Sequence, residues 1–156
     1  MTVETTDTAQ DQARAQYESI VQMVAAVECD YERLEELHDI EEGERTQDET
    51  EEMIDLEKDA GENQNREDAI TAIQEDPLSV EVREGWKEPG TVGNLDDFQI
   101  LLCTGGPAVR IRGELRDGQP HRAWLEYQDW GTPWTQYFGA SQQTLLAYAS
   151  YFYFGD

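Results

Sequence analysis

The chain has 156 residues with 35 Asp and Glu against 11 Lys and Arg, a formal net charge of -24 at pH 7 that disfavours direct binding to nucleic acid. No apolar run approaches the roughly 18 residues of a membrane span, and the first dozen residues lack the basic region, apolar stretch and cleavage site of a secretory signal. The expectation is a cytoplasmic protein with no membrane partner.

Residues 1–12, rich in Thr, Asp and Gln, read as a flexible N-terminus. From Tyr17 the apolar positions Ile20, Val24, Val27, Tyr31 and Leu34 follow the three-and-four spacing of a helical seam, which predicts one helix from about Asp7 to Asp39. Weaker stripes follow: Met53, Leu56 and Ala60 after Gly43, then Ala69, Ile70 and Ile73, with a break at residues 61–65 and a stop at Pro77. Both later stripes need a partner. An antiparallel hairpin folding back on the first helix buries them, and a dimeric coiled coil does so equally well, so a homodimer through the helical arm stays open.

Beyond Pro77 the apolar period changes to two. Val80 and Val82, then Phe98, Ile100 and Leu102, then Val109, Ile111 and Leu115 alternate with polar residues, and Leu125 and Tyr127 follow the turn at residues 116–119. Residues 104–107 form another turn, giving a meander of three or four strands. Ser141 is placed to cap a short helix carrying Leu145, Leu146 and Tyr148, and residues 151–154 read as a strand or core-docking tail. Because 13 of the 15 aromatic residues lie after Gly85, the core is expected there. The predicted architecture is α+β: an acidic helical arm over residues 13–77 on a small antiparallel sheet domain, residues 78–156, with a short C-terminal helix.

Between Glu28 and Pro77 stand 21 acids against four Lys and Arg. Stable exposed helices intersperse the two signs, so this segment is shaped by something other than helix stability. Three readings compete. A solvated helical face is the plainest. Salt adaptation fits the scarcity of lysine but not the lopsided distribution, since only ten acids follow Pro77. The third is mimicry of nucleic acid: folded as a hairpin, 50 helical residues span roughly 38 Å, about one carboxylate per 1.8 Å, near the roughly one phosphate per 1.7 Å of duplex DNA.

No catalytic constellation emerges. Glu126 and Asp129 lie among Tyr127, Trp130 and Trp134, but two carboxylates in one strand-to-loop segment serve structure more often than hydrolysis. His38 and His121 belong to no metal-binding pattern, Gly105-Gly106-Pro107 lacks the lysine and helix of a phosphate loop, and Cys29 and Cys103 read as reduced small hydrophobes. Arg110, Arg112 and Arg122 read as cross-strand partners of Glu114 and Glu126. The expectation is a non-enzyme with no cofactor and no metal.

Three runs, Ile73-Gln74-Glu75-Asp76-Pro77-Leu78-Ser79-Val80, Ile100-Leu101-Leu102-Cys103-Thr104-Gly105-Gly106-Pro107-Ala108-Val109-Arg110-Ile111 and Leu125-Glu126-Tyr127-Gln128-Asp129-Trp130-Gly131-Thr132-Pro133-Trp134-Thr135, resemble a family of small uncharacterised proteins carried by bacterial plasmids, prophages and integrative elements. The resemblance covers residues 66–156, with a looser match over 20–37. It implies a mobile-element accessory protein, counter-defence included, and carries no catalytic role.

These readings converge on an inhibitor of anti-CRISPR or anti-restriction type whose arm occupies the basic groove of a nucleic-acid-binding host defence complex. The arm residues assigned to that contact are Glu41, Glu42, Asp48, Glu49, Glu51, Glu52, Asp55 and Asp59. Trp130 and Trp134, flanking a Gly and Pro turn, are core anchors or, if exposed, a second contact. The alternative is a coiled-coil dimer or adaptor that grips its partner without mimicry.

Overall fold

In the computed structural model, which describes residues 3–90 and 95–155 and side chains from residue 8 onward, helices come first and strands second. The elements are α1 (Val3–Glu28), α2 (Tyr31–Asp39), a 3-10 turn (Glu42–Glu44), α3 (Gln47–Ala60), α4 (Arg66–Glu75), β1 (Ser79–Arg83), β2 (Asp97–Cys103), β3 (Ala108–Arg116), β4 (Gln119–Gln128), β5 (Thr135–Tyr137) and α5 (Gln142–Ala149). The fold is α+β, with the switch in hydrophobic period at Pro77 marking where helices give way to strands.

The long first helix of the sequence reading is two helices. The chain breaks at Cys29 and Asp30, where the Asp30 carboxylate accepts from the Arg33 N–H at 3.0 Å and opens α2 as its N-cap. The Tyr31 hydroxyl donates back to the Ala26 carbonyl at 2.6 Å across the break. Periodicity carried through because the bend preserves the apolar face: Ile20, Val24 and Val27 are buried before it, Leu34 and Leu37 after it. At the other end α1 starts inside the stretch read as a flexible N-terminus and already buries Ala9. Met1 and Thr2 lie outside the described residues.

The strands form one antiparallel sheet in the order β1-β2-β3-β4-β5, one or two more than the period-two segments announced. The β3–β4 hairpin turns on Asp117 and Gly118, both at positive φ (54° and 78°), the backbone a two-residue turn requires. β5 is only three residues long and without apolar alternation, which hid it. In register, Val80, Ile100, Ile111, Leu125 and Tyr137 face one side. Phe98 on that side lies over Gly113, its cross-strand partner, where a Cβ would come within 2.3 Å of the ring.

One hydrophobic core joins both halves of the chain. Ala13, Ile20, Val24, Ala26 and Val27 of α1 and Ala69 and Ile73 of α4 pack in the same cluster as Phe98, Ile100, Val109, Ile111 and Leu125 of the sheet and Leu145 and Tyr148 of α5. The aromatic residues are concentrated C-terminally, but the aliphatic surface that covers them comes from α1. The seam of α1 therefore packs on the sheet and α5 as well as on α4, which differs from the helical hairpin read from the sequence, where only the later helices covered it.

At the C-terminus, residues 151–154 form no strand; they dock as a tail, with Phe154 buried and its ring 4.9 Å from that of Phe98. Ser141 occupies the N-cap position of α5, but its side chain makes no capping hydrogen bond. Its N–H donates instead to the Tyr17 hydroxyl at 3.0 Å, fixing the start of α5 against α1.

Candidate functional site

The acidic segment folds as a layer of α2, the 3-10 turn and α3. Its order rests on local chemistry. Thr46 and Glu49 form a reciprocal capping box, each backbone N–H donating to the other's side chain at 3.0 Å. Gly61, at φ 60°, ends α3, and Asn65 caps α4 through the Asp68 N–H at 2.8 Å. The layer is fastened to α1 by Gln22, whose amide donates to the carbonyls of Lys58 (3.0 Å) and Asp59 (3.2 Å).

Arg33, Arg45 and His38 inside the layer are already committed. Arg33 holds Glu52 with two hydrogen bonds, Nε to Oε2 at 3.0 Å and Nη2 to Oε1 at 2.9 Å, and reaches Glu36 at 3.2 Å. Those bonds push the guanidinium pKa up and the Glu52 carboxyl down, while the Thr46 backbone and hydroxyl hold Glu49 below its ordinary value. Arg45 donates to the Leu37 carbonyl at 3.1 Å, and His38 meets Glu57 at 3.0 Å.

The eight acids assigned from sequence thus divide. Glu49 and Glu52 hold the layer together. Glu41, Glu42, Asp48, Glu51, Asp55 and Asp59 are exposed, and among the described residues none of the six side chains forms an ion pair. Asp48, Asp55 and Asp59 recur at helical spacing along one side of α3, with Glu51 beside them; Glu41 and Glu42 stand at the 3-10 turn. Of the seven acids on the 14 residues of α3, about 21 Å long, Glu49, Glu52 and Glu57 are bound within the layer, and the outward Asp48, Glu51, Asp55 and Asp59 give one carboxylate per about 5 Å, sparser than the roughly 3.4 Å of axis per phosphate in one DNA strand.

The two tryptophans also divide. Trp130 is 77% exposed on the turn after β4, which Asp129 and Thr132 close by a 3.0 Å bond from the Asp129 N–H to the Thr132 hydroxyl. Trp134 is half-buried on the sheet face away from the helices, with the Arg110 guanidinium 3.9 Å from its ring centroid. Arg110 pairs with Glu126 at 2.8 Å and donates to Gln99 at 2.9 Å, and the Trp124 Nε1–H donates to the other oxygen of Glu126 at 2.9 Å. Glu126 and Asp129 are each bound into local structure and do not converge on a common point. The sequence placed Arg110 and Glu126 together through strand register; the stacking of Trp134 carried no signal, because it depends on how the turn returns.

Among the described residues no group of three or more His, Cys, Asp and Glu is arranged to hold a metal ion, and no helix is long and apolar enough to cross a membrane. No protein-family model, curated protein or solved structure matches this chain.

Proposed function

We propose that this protein is a non-enzymatic inhibitor from a mobile element, of anti-CRISPR or anti-restriction type, acting in the cytoplasm. Its α2–α3 layer occupies a basic nucleic-acid groove on a host defence complex. The observation that carries this reading is the separation of roles among the eight acids: Glu49 and Glu52 build the layer, and the other six point outward and form no ion pair among the described residues. An exposed helical face kept only for stability gains from interspersed lysine, which here is confined to Lys58 and Lys87 in the whole chain. The assignment to mobile elements rests on the sequence motifs in β2–β3 and β4–β5.

The adaptor reading keeps one specific support, the exposure of Trp130. The discriminating experiment is affinity capture from nuclease-treated host lysate with three baits: the unmodified protein, a variant with Glu41, Glu42, Asp48, Glu51, Asp55 and Asp59 changed to Lys, and Trp130→Ala. Mimicry requires that the charge variant alone loses the captured complex, with its circular dichroism unchanged because Glu49 and Glu52 are kept. Loss with Trp130→Ala alone would assign the contact to the β4–β5 turn.

A further inference from the structure

We propose that two copies of this chain pair edge to edge through residues 78–86, antiparallel about a two-fold axis at Val82, to make one continuous sheet. β1 is the terminal strand of the sheet, and among the described residues nothing pairs with its outer edge. Exposed edges are ordinarily blunted by lysine, proline or a bulge. β1 contains no lysine or proline, and its register with β2 is unbroken.

What this edge carries is self-complementary. On the face continuous with the core, Leu78, Val82 and Trp86 are exposed by 60, 37 and 103%, with the exposed Glu84 between the last two. On the opposite face stand Glu81 and Arg83. A two-fold axis perpendicular to the sheet keeps faces matched, so it must pass through a residue. Placed at Val82, it sets Glu81 against the partner's Arg83 twice, Val82 against its own copy, Leu78 against the partner's Trp86 twice, and Val80 against the partner's Glu84 twice, whose exposed carboxylate stays at the solvent rim. Moving the axis by one residue opposes Glu81 to Glu81 or Arg83 to Arg83, and like charges directly opposite are destabilising.

The edge is also held straight enough to be used. The Leu78 N–H donates to the Leu101 carbonyl at 2.8 Å at one end. At the other, Asp96 accepts from the Gly85 N–H at 2.9 Å and pairs with Lys87 at 2.6 Å, which tethers residues 85–87 to the start of β2 just beyond Arg83, the last residue of β1. Glu81 and Arg83 each make one bond to β2, to Gln99 and Asp97, leaving the second carboxylate oxygen and both Nη groups available. The contact is isologous and closes on itself. It leaves the acidic layer and the α1 seam outside the interface.

The charge of -24 on each copy opposes association, so the assay is sedimentation equilibrium up to about 100 µM protein in about 0.5 M salt, where long-range repulsion is screened. The unmodified chain is expected at twice the 17.8 kDa of one copy. Glu81→Arg and Arg83→Glu should each weaken self-association at least tenfold. Mixing the two single variants should restore a heterodimer, because each then supplies the charges the other lacks, and so should the double exchange within one chain. Circular dichroism on every variant confirms folding. A chain that stays monomeric throughout, or single variants that dimerise as well as the unmodified protein, would overturn the proposal; a mixture that gains nothing would overturn the register at Val82.

Discussion

The Tyr148 hydroxyl, on a side chain fully buried in α5, donates to the Asp76 carboxylate at 2.7 Å, joining the last helix to the residue that ends α4. Burial first, then the neighbouring carboxylate, raises the phenol pKa, so the proton stays on the oxygen and the donor is always present. This bond crosses the boundary at Pro77. Tyr148→Phe should cost about 1.5–3 kcal/mol in urea denaturation, the range for a hydrogen bond to a charged group. An unchanged midpoint would mean the two halves do not depend on this link.

Because α1 supplies one wall of the core, the sheet should not stand alone. Ile20→Ala removes a fully buried side chain and should destabilise the whole protein by about 2–5 kcal/mol. All four tryptophans lie in the sheet half, whereas most helix lies before Pro77. Tryptophan fluorescence and far-ultraviolet circular dichroism should therefore report coincident unfolding transitions. Two separated transitions, or a folded fragment 78–156, would show independent units.

Gly113 is needed for its missing side chain. A methyl there meets the Phe98 ring and the Arg122 carbonyl, each within 2.3 Å, and backbone cannot yield cheaply. Gly113→Ala should destabilise by about 1–3 kcal/mol, and a thermal melt equal to that of the unmodified chain would contradict the packing of Phe98.

Legibility followed the range of the interaction. The strand alternation from Phe98 to Tyr127 and the helical stripes were readable because periodicity is local. The Thr46 and Glu49 capping box was also there to be read, three residues apart. The bend at Asp30 escaped notice because it leaves the seam in phase. What could not be read was pairing at long separation: Arg33 with Glu52, Arg110 with Trp134, and above all α1 with the sheet. Counting aromatics placed the core in one half because it ignores how much aliphatic cover a sheet needs. The division of the eight acids into builders and outward carboxylates required knowing where Arg33 points.

The tie between Arg33 and Glu52 gives a pH dependence with a definite sign. Glu52 has a folded pKa below its unfolded value, so its contribution is present above the unfolded value of about 4.5 and is lost as pH falls through the folded pKa. Glu52→Gln should be less stable than the unmodified chain at pH 7, and the difference should disappear on acidification below pH 4.5. A difference that does not shrink at all as the pH falls below 4.5 would assign the effect to something other than this ion pair.

The central claim is that the outward carboxylates of α2–α3 stand in for phosphates. The most direct measurement is competition on the captured host complex, with labelled duplex DNA or its guide RNA titrated against this protein at rising salt. The account predicts mutually exclusive binding, and an affinity that falls steeply between about 50 and 200 mM salt as ion pairs are screened. A ternary complex of protein, nucleic acid and target that persists across that salt range would contradict it.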